Sequence, residues 1–311
     1  MERTNYAKHI DAAIKLPPSD DVIQKRLDIS NALENHEDNL ISIIGPCPLV
    51  DEYEIIHSEA VAKAEIDDNL ANLLSLDRQC FTKPRTNPLD WQGLDSSDRP
   101  AAHRILHKLS NEFANVTAEI RTLENLELYA AKLSFVWTGG RNVGNTELVQ
   151  LLASYDITLP IGVKNGLDGD IEPALDQIRA INDIRQGDGA PAVLIYRGGS
   201  NAITPRQSDD AYKRAHEKTD GKIIRDNAHG TEMAYNPGQE FEKSIEGQVL
   251  ASEAIIKLAR QGFAPAGVMN EASELESIMD PHMSLETAIH YVKQLYAAKL
   301  GRLTVGAAVA A

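Results

Sequence analysis

From Leu40 onward the chain alternates short apolar runs with longer amphipathic stretches, and that rhythm admits few folds. Strand-length apolar runs separated by helix-length segments argue for consecutive βα units, which demand a parallel sheet. The pattern predicts strands at 41–46, 76–82, 116–120, 134–138, 159–163, 192–196, 221–225 and 266–270. It predicts helices at 53–70, 100–113, 124–132, 145–154, 170–182, 240–260 and 284–298. Eight candidate strands with helices between them fit a closed (β/α)8 barrel, the TIM barrel of the α/β class, better than an open sheet. Ahead of the barrel, residues 1–38 read as a short arm, broken by Pro17 and Pro18, and a helix at 23–34. Residues 39–300 form the expected catalytic domain, and 301–311 a small, apolar tail.

The 42% hydrophobic content of the 311 residues supplies an ordinary core and excludes the disordered class. A formal charge of −15 disfavours nucleic acid and anionic lipid as partners. Two cysteines, Cys47 and Cys80, make no disulfide framework, and no signal-peptide pattern opens the chain. No apolar run approaches the roughly 20 residues that span a bilayer. The expectation is a cytoplasmic enzyme.

Five segments end in a basic or metal-capable side chain just where an apolar run gives way to glycine or proline. They are ISIIGPC with Cys47, DRQCFTKPR with Arg78, Lys83 and Arg85, LPIGVKNG with Lys164, AVLIYRGG with Arg197, and KIIRDNAHG with His229. A parallel barrel gathers the C-terminal ends of its strands at one mouth, so these groups would meet there. Glycines beside Lys164 and Arg197, and Gly139-Gly140 before Arg141, let backbone N–H groups approach a phosphate, while Arg offers it a bidentate fork. Each cation taken singly is more often a solvated strand end; three in register point toward a phosphate clamp. Arg78 and Lys83, five apart, would face opposite sides of one strand unless a bulge intervenes, and a salt-bridged barrel edge would also explain them. Cys47, His229 and Glu271 fall at or beyond predicted strand ends, where thiolate, imidazole and carboxylate could hold a divalent transition metal. A lone Cys after Gly-Pro is otherwise a small buried hydrophobe.

Together these motifs resemble the type I 3-deoxy-D-arabino-heptulosonate 7-phosphate (DAHP) synthases. The likeness rests on Ile43 to Cys47, Lys83-Pro84-Arg85-Thr86, Gly140-Arg141, Gly162 to Gly169, Arg197-Gly198-Gly199, Asp226 to His229, and Gly267-Val268-Met269 with Glu271. It runs in order from Leu16-Pro17-Pro18 to the helix after Ser284. The resemblance implies a (β/α)8 enzyme of the shikimate pathway that condenses phosphoenolpyruvate with erythrose 4-phosphate using a divalent metal (Mn, Fe, Zn or Co). It implies that Gly140, Arg141, Lys164 and Arg197 hold the phosphate of phosphoenolpyruvate, and Arg78 and Lys83 its carboxylate. Lys83 would aid protonation, Lys83 to Thr86 would meet the aldose phosphate chiefly through Arg85, and Cys47, His229 and Glu271 would ligate the metal. Lys83 and His229 are the implied catalytic residues.

Departures from the family shape three further expectations. The fourth metal ligand of the family is an Asp closing a Ser-x-Thr-Asp stretch; here Ser284-Leu285-Glu286-Thr287 puts Thr287 there, leaving Glu286 or Asp280 as substitutes. One residue at a helix start turns a side chain by about 100°. Thr82 replaces an acidic residue before Lys83, and Gly230-Thr231-Glu232-Met233 follows His229, both on the aldehyde's side of the pocket. A paralogue taking another aldehyde in secondary metabolism, or a catalytically silent relative that binds phosphorylated metabolites, are the alternatives. Finally, Arg185 to Pro191 leads directly into AVLIYRGG without the hairpin that regulated members insert, so no inhibition by aromatic amino acids is expected. A homodimer is the expected assembly.

Overall fold

The structure, a computed structural model, describes residues 17–45, 80–86, 117–121, 126, 130–140, 143–199, 205–229, 245–272 and 283–301, with 80–86, 205 and 285 through the backbone alone. Eight parallel strands close into a barrel in sequence order, the last pairing with the first. They are β1 (Leu40–Gly45), β2 (Cys80–Thr86), β3 (Thr117–Glu119), β4 (Phe135–Gly139), β5 (Ile161–Lys164), β6 (Ala192–Tyr196), β7 (Ile223–Asp226) and β8 (Gly267–Glu271). Closure is in register at the mouth, where Gly45 pairs with Glu271 and Gly139 with Lys164.

The described helices are α1 (Asp20–Glu34), α2 (Thr146–Tyr155), α3 (Glu172–Arg185), α4 (Pro205–Lys218), α5 (Ile245–Ala259) and α6 (Leu285–Lys299). Serine or asparagine side chains cap three of them, with Ser19, Asn145 and Ser284 accepting from Val22, Leu148 and Thr287 N–H groups. The expected helices at 53–70 and 100–113, and the tail beyond Gly301, lie outside the described residues.

The expected element list needs two corrections. β2 begins at Cys80, four positions later than expected, so Lys83, Pro84 and Arg85 belong to the strand itself. Lys83 pairs with Ile43 and Pro84 with Ile44. Helix α4 was not predicted: PRQSDDAYKRAHEK carries so few apolar residues that only Tyr212 and Ala215 enter the core.

Alternation sorts the strand residues into two cores. Ile41, Ile43, Phe135, Trp137, Val193, Ile195, Ile224 and Met269 fill the barrel. Their neighbours Leu40, Ile44, Val136, Ile161, Val163, Leu194, Ile223 and Val268 face the helices. Ile29, Ala32 and Leu33 of α1 join the inner cluster, so this helix stoppers the N-terminal end. Arg26, fully buried, pins α1 there by donating to Leu133 O at 2.9 Å, Ala130 O at 2.7 Å and the Asp156 carboxylate at 2.6 Å. Arg185 does the same for α3, donating to Leu159 O at 2.9 Å and Ala190 O at 2.5 Å. Burial draws its guanidinium down to about 10. Among the described residues no helix is long and apolar enough to cross a membrane.

A cavity of ≈ 510 Å³ opens at this N-terminal end, lined among others by His36, Glu37, His216, Asp220 and Lys299. Lys299 Nζ donates to Pro265 O at 2.5 Å, and burial lowers the ammonium from 10.5 to about 7, opposed by Asp38 and Glu37. Between those two values the unfolded chain holds a proton that the folded chain has released, so stability rises with pH across the interval and is flat for this group below it. Lys299→Met is expected to gain less stability than the wild type over the same pH range in urea unfolding. An equal gain in both proteins would contradict the assignment.

Candidate active site at the barrel mouth

Four strand ends place the described site residues. Lys164 closes β5, Arg197 follows β6, His229 lies three residues past Asp226 at the end of β7, and Glu271 closes β8. Three of them point inward because each continues the inward row of its strand, Gly162 then Lys164, Ile195 then Arg197, Met269 then Glu271, whereas His229 is carried by the bend that the Ala228 N–H closes on Asp226 Oδ1.

Lys164 rises between Met269 and Trp137, with Nζ 3.7 Å from the Met269 sulfur and 5.9 Å from the indole centroid. Its charge is met by Asp226 Oδ2 at 2.8 Å. Asp226 is fully buried and also faces His229, with Nδ1 at 3.1 Å from Oδ1 and 3.0 Å from Oδ2. A carboxylate only accepts, so Nδ1 donates its proton to Asp226 and fixes the ring. The Nε2 edge then faces Glu271, whose Oε1 is 3.4 Å away.

The loops after β4, β5 and β6 are equally constrained. Gly139 has φ +112°, and a Cβ there would lie 2.1 Å from Lys164 O, so only glycine lets β4 and β5 approach so closely. A Cβ on Gly199 would lie 2.1 Å from Gly169 Cα, which seats the loop after β6 directly on the loop after β5. A side chain on Gly140 would begin 3.4 Å from Arg197 Nη1, so the guanidinium lies along the Gly139-Gly140 turn. Asn165 stitches the loops together: its Oδ1 accepts from Arg197 N at 2.8 Å, and Nδ2 donates to Gly198 O at 2.9 Å. Gly140, Lys164 and Arg197 are thus neighbours on three consecutive strand ends.

Cys47, Arg78, Arg141 and Asp280 lie outside the described residues, and Lys83, Arg85 and Thr86 are described as positions on β2 alone. Glu286 stands apart from the His229–Glu271 pair. It is exposed in the first turn of α6, where Ser284 accepts from Thr287 N at 3.1 Å and the two hydroxyls are 2.8 Å apart. Ser284 is therefore the N-cap, and Thr287 the N3 residue paired with it.

His229 and Glu271 fit a metal. Two donors bound at about 2.1 Å to one ion at the tetrahedral angle are about 3.4 Å apart, and the second-sphere carboxylate on Nδ1 is the customary orienting partner of a ligating imidazole. Among the described residues no third donor completes the group.

Sequence reasoning gave no role to Asp226, Asn165, Trp137 or Met269. Asp226 had a local signal, three residues before His229; the other three act through contacts between strands that no spacing reports. Arg225, in the same motif, turns outward and donates to Tyr196 O at 3.0 Å.

An inward-facing set of ionisable groups at the C-terminal face of a closed parallel barrel marks the chain as a (β/α)8 enzyme. It belongs to the DAHP synthetase I family, which it matches over residues 23–286, a family of C–C bond-forming transferases. It is 26% identical over 322 residues to the phospho-2-dehydro-3-deoxyheptonate aldolase of Corynebacterium glutamicum, covering 89% of this chain and 86% of that one. To the tyrosine-inhibited phospho-2-dehydro-3-deoxyheptonate aldolase of Candida albicans it is 28% identical over 203 residues, and this match spans 61% of the chain and about half, 53%, of that relative. The structure of the Francisella tularensis phospho-2-dehydro-3-deoxyheptonate aldolase superposes with a TM-score of 0.68 over 95% of this chain and 97% of that one. At 17% identity that likeness bears on the fold alone.

Replacing Asn165 by Ala removes the ties between the two loops, at a cost of about 1–3 kcal/mol for buried groups left unpaired. Denaturant unfolding is expected to show that loss, and phosphate-ester binding to weaken with it.

Proposed function

We propose that the chain condenses phosphoenolpyruvate with erythrose 4-phosphate, giving DAHP and inorganic phosphate, with residues 39–300 as the catalytic unit. Membership of the family supports the reaction class. The observation that carries the reading is the convergence of Lys164, Asp226, His229 and Glu271 beside Arg197 in a mouth otherwise floored by Trp137 and Met269.

Lys164, Arg197 and Arg141, with the Gly140 backbone, hold the phosphate of phosphoenolpyruvate. Arg78 and Lys83 hold its carboxylate, and Lys83 to Thr86 take the aldose phosphate, chiefly through Arg85. Two multiply charged anions repel one another, so the cations supply the positioning that brings C3 of the enol to the aldehyde carbon. Cys47, His229 and Glu271 would hold a divalent metal, which supplies Lewis-acid polarisation of the aldehyde oxygen. Attack by C3 leaves C2 electron-poor, water adds there, and the C2–O bond to phosphate breaks. Lys83 moves the proton released in these steps, and Lys164 and Arg197 stabilise the departing dianion.

Incubating the protein with both substrates and Mn2+ tests the reading by release of phosphate together with a 3-deoxyheptulosonate product; neither appearing would sink it. Arg197→Ala is expected to raise KM for phosphoenolpyruvate about tenfold to a hundredfold, since a charge-assisted hydrogen bond contributes about 1.5–3 kcal/mol. His229→Ala is expected to abolish turnover while leaving phosphoenolpyruvate binding, so an unchanged rate would refute its role.

A second reading, a paralogue taking a different aldehyde, is favoured by Thr82 and by Gly230 to Met233. A panel of aldoses with phosphoenolpyruvate separates the two. The direct turn at 186–191 between α3 and β6 supports catalysis insensitive to phenylalanine, tyrosine and tryptophan, which an assay with each amino acid decides. A homodimer acting in the cytoplasm completes the proposal.

A further inference from the structure

We propose that Asp226 is a positioning residue whose one carboxylate links metal binding at His229 to phosphate binding at Lys164, so that each ligand tightens the other. The inference rests on the metal and phosphate roles proposed above and adds the coupling between them.

Three features of the geometry support it. First, Asp226 is shared: Oδ2 lies 2.8 Å from Lys164 Nζ and 3.0 Å from His229 Nδ1. Second, the carboxylate cannot follow either partner. Oδ1 accepts the Ala228 N–H at 3.0 Å, which closes the bend that carries His229, and the side chain is fully buried at the end of β7. Third, Lys164 is confined by Trp137 and Met269, and only 5% of it is exposed. The coupling is therefore one of charge rather than of displacement.

The sign follows from how hydrogen bonds polarise each other. A cation on Nε2 draws electron density from the imidazole and makes Nδ1–H a stronger donor. That N–H then takes a larger share of the Asp226 charge, and Lys164 has more of its own charge to offer a phosphate oxygen. Reciprocity requires the reverse effect to be equal: a phosphate that takes up Lys164 leaves Asp226 to His229 and strengthens the imidazole as a ligand.

The test is calorimetric titration of the full chain with Mn2+ and with phosphoenolpyruvate, each alone and then in the presence of the other. In the wild type, saturating Mn2+ is expected to tighten phosphoenolpyruvate by about fivefold or more. In Asp226→Asn, Mn2+ affinity is expected to fall by about tenfold or more. The metal-free variant is expected to bind phosphoenolpyruvate at least as tightly as metal-free wild type, because Lys164 has lost its competing partner. A residue that merely holds the fold would weaken both ligands together; that outcome, or unaltered Mn2+ affinity, overturns the proposal. Should Asp226→Asn fail to fold, Lys164→Met carries the test. Freed of Lys164, Asp226 gives a larger share of its charge to His229, so Mn2+ binding without phosphoenolpyruvate is expected to tighten, and an unchanged or weaker affinity overturns the linkage. Wild-type protein that binds neither ligand overturns the underlying functional reading, whereas wild type that binds both with no change in the variants overturns the linkage alone.

Discussion

A carboxylate buried without compensation costs several kcal/mol, and Asp226 is buried completely. Lys164 at 2.8 Å, His229 at 3.0 Å and the Ala228 N–H at 3.0 Å compensate that burial. Those partners come from β5 and from the bend after β7, so the charge balance holds only while the barrel keeps its register across β5, β6 and β7. A slip of one residue would turn Lys164 outward among the helices and deprive Asp226 of its ammonium partner. The same interaction that prepares the mouth for anions thus also selects the strand alignment.

The apolar framework makes that selection possible. Phe135 and Ile195 press on the inward side of Gly162, where an added Cβ would stand 2.4 Å from Ile195 Cδ1. The layer beneath Lys164 is consequently filled, and the lysine has nowhere to go but toward the mouth. At the opposite end α1 closes the barrel with Ile29 and Leu33, held by Arg26 rather than by apolar contact alone. Neither end is left as an open pore, which agrees with a barrel whose interior is packed side chain rather than channel.

How much of this the sequence disclosed depends on whether the signal was local. Lys164, Arg197, His229 and Glu271 were legible because each follows an apolar run, and a parallel barrel sends every such position to one rim. Helix α4 was not, because its sequence is so polar that it reads as a surface loop, although its few apolar residues, Tyr212 and Ala215 among them, share one face. β2 was placed too early because Lys83-Pro84 resembles the exit of a strand, proline having no N–H to give the ladder; the strand nevertheless continues through Pro84 to Thr86. The roles of Arg26, Asn165 and Asp226 depend on partners far away in the chain. Arg26 and Asp156, for instance, are separated by 130 positions, and nothing near Arg26 distinguishes it from an ordinary helix-surface arginine.

The overall charge of −15 and the cationic mouth are compatible because they act over different distances. In physiological salt the field of exposed carboxylates decays over about 8 Å, so the acidic surface opposes approach of an anion only weakly. Inside the mouth the dielectric is lower and the cations are fixed, so Lys164 and Arg197, 5% and 8% exposed, act on a ligand with little screening. Asp226 tempers this: it neutralises Lys164 until a ligand arrives, which spares the barrel an uncompensated buried ammonium.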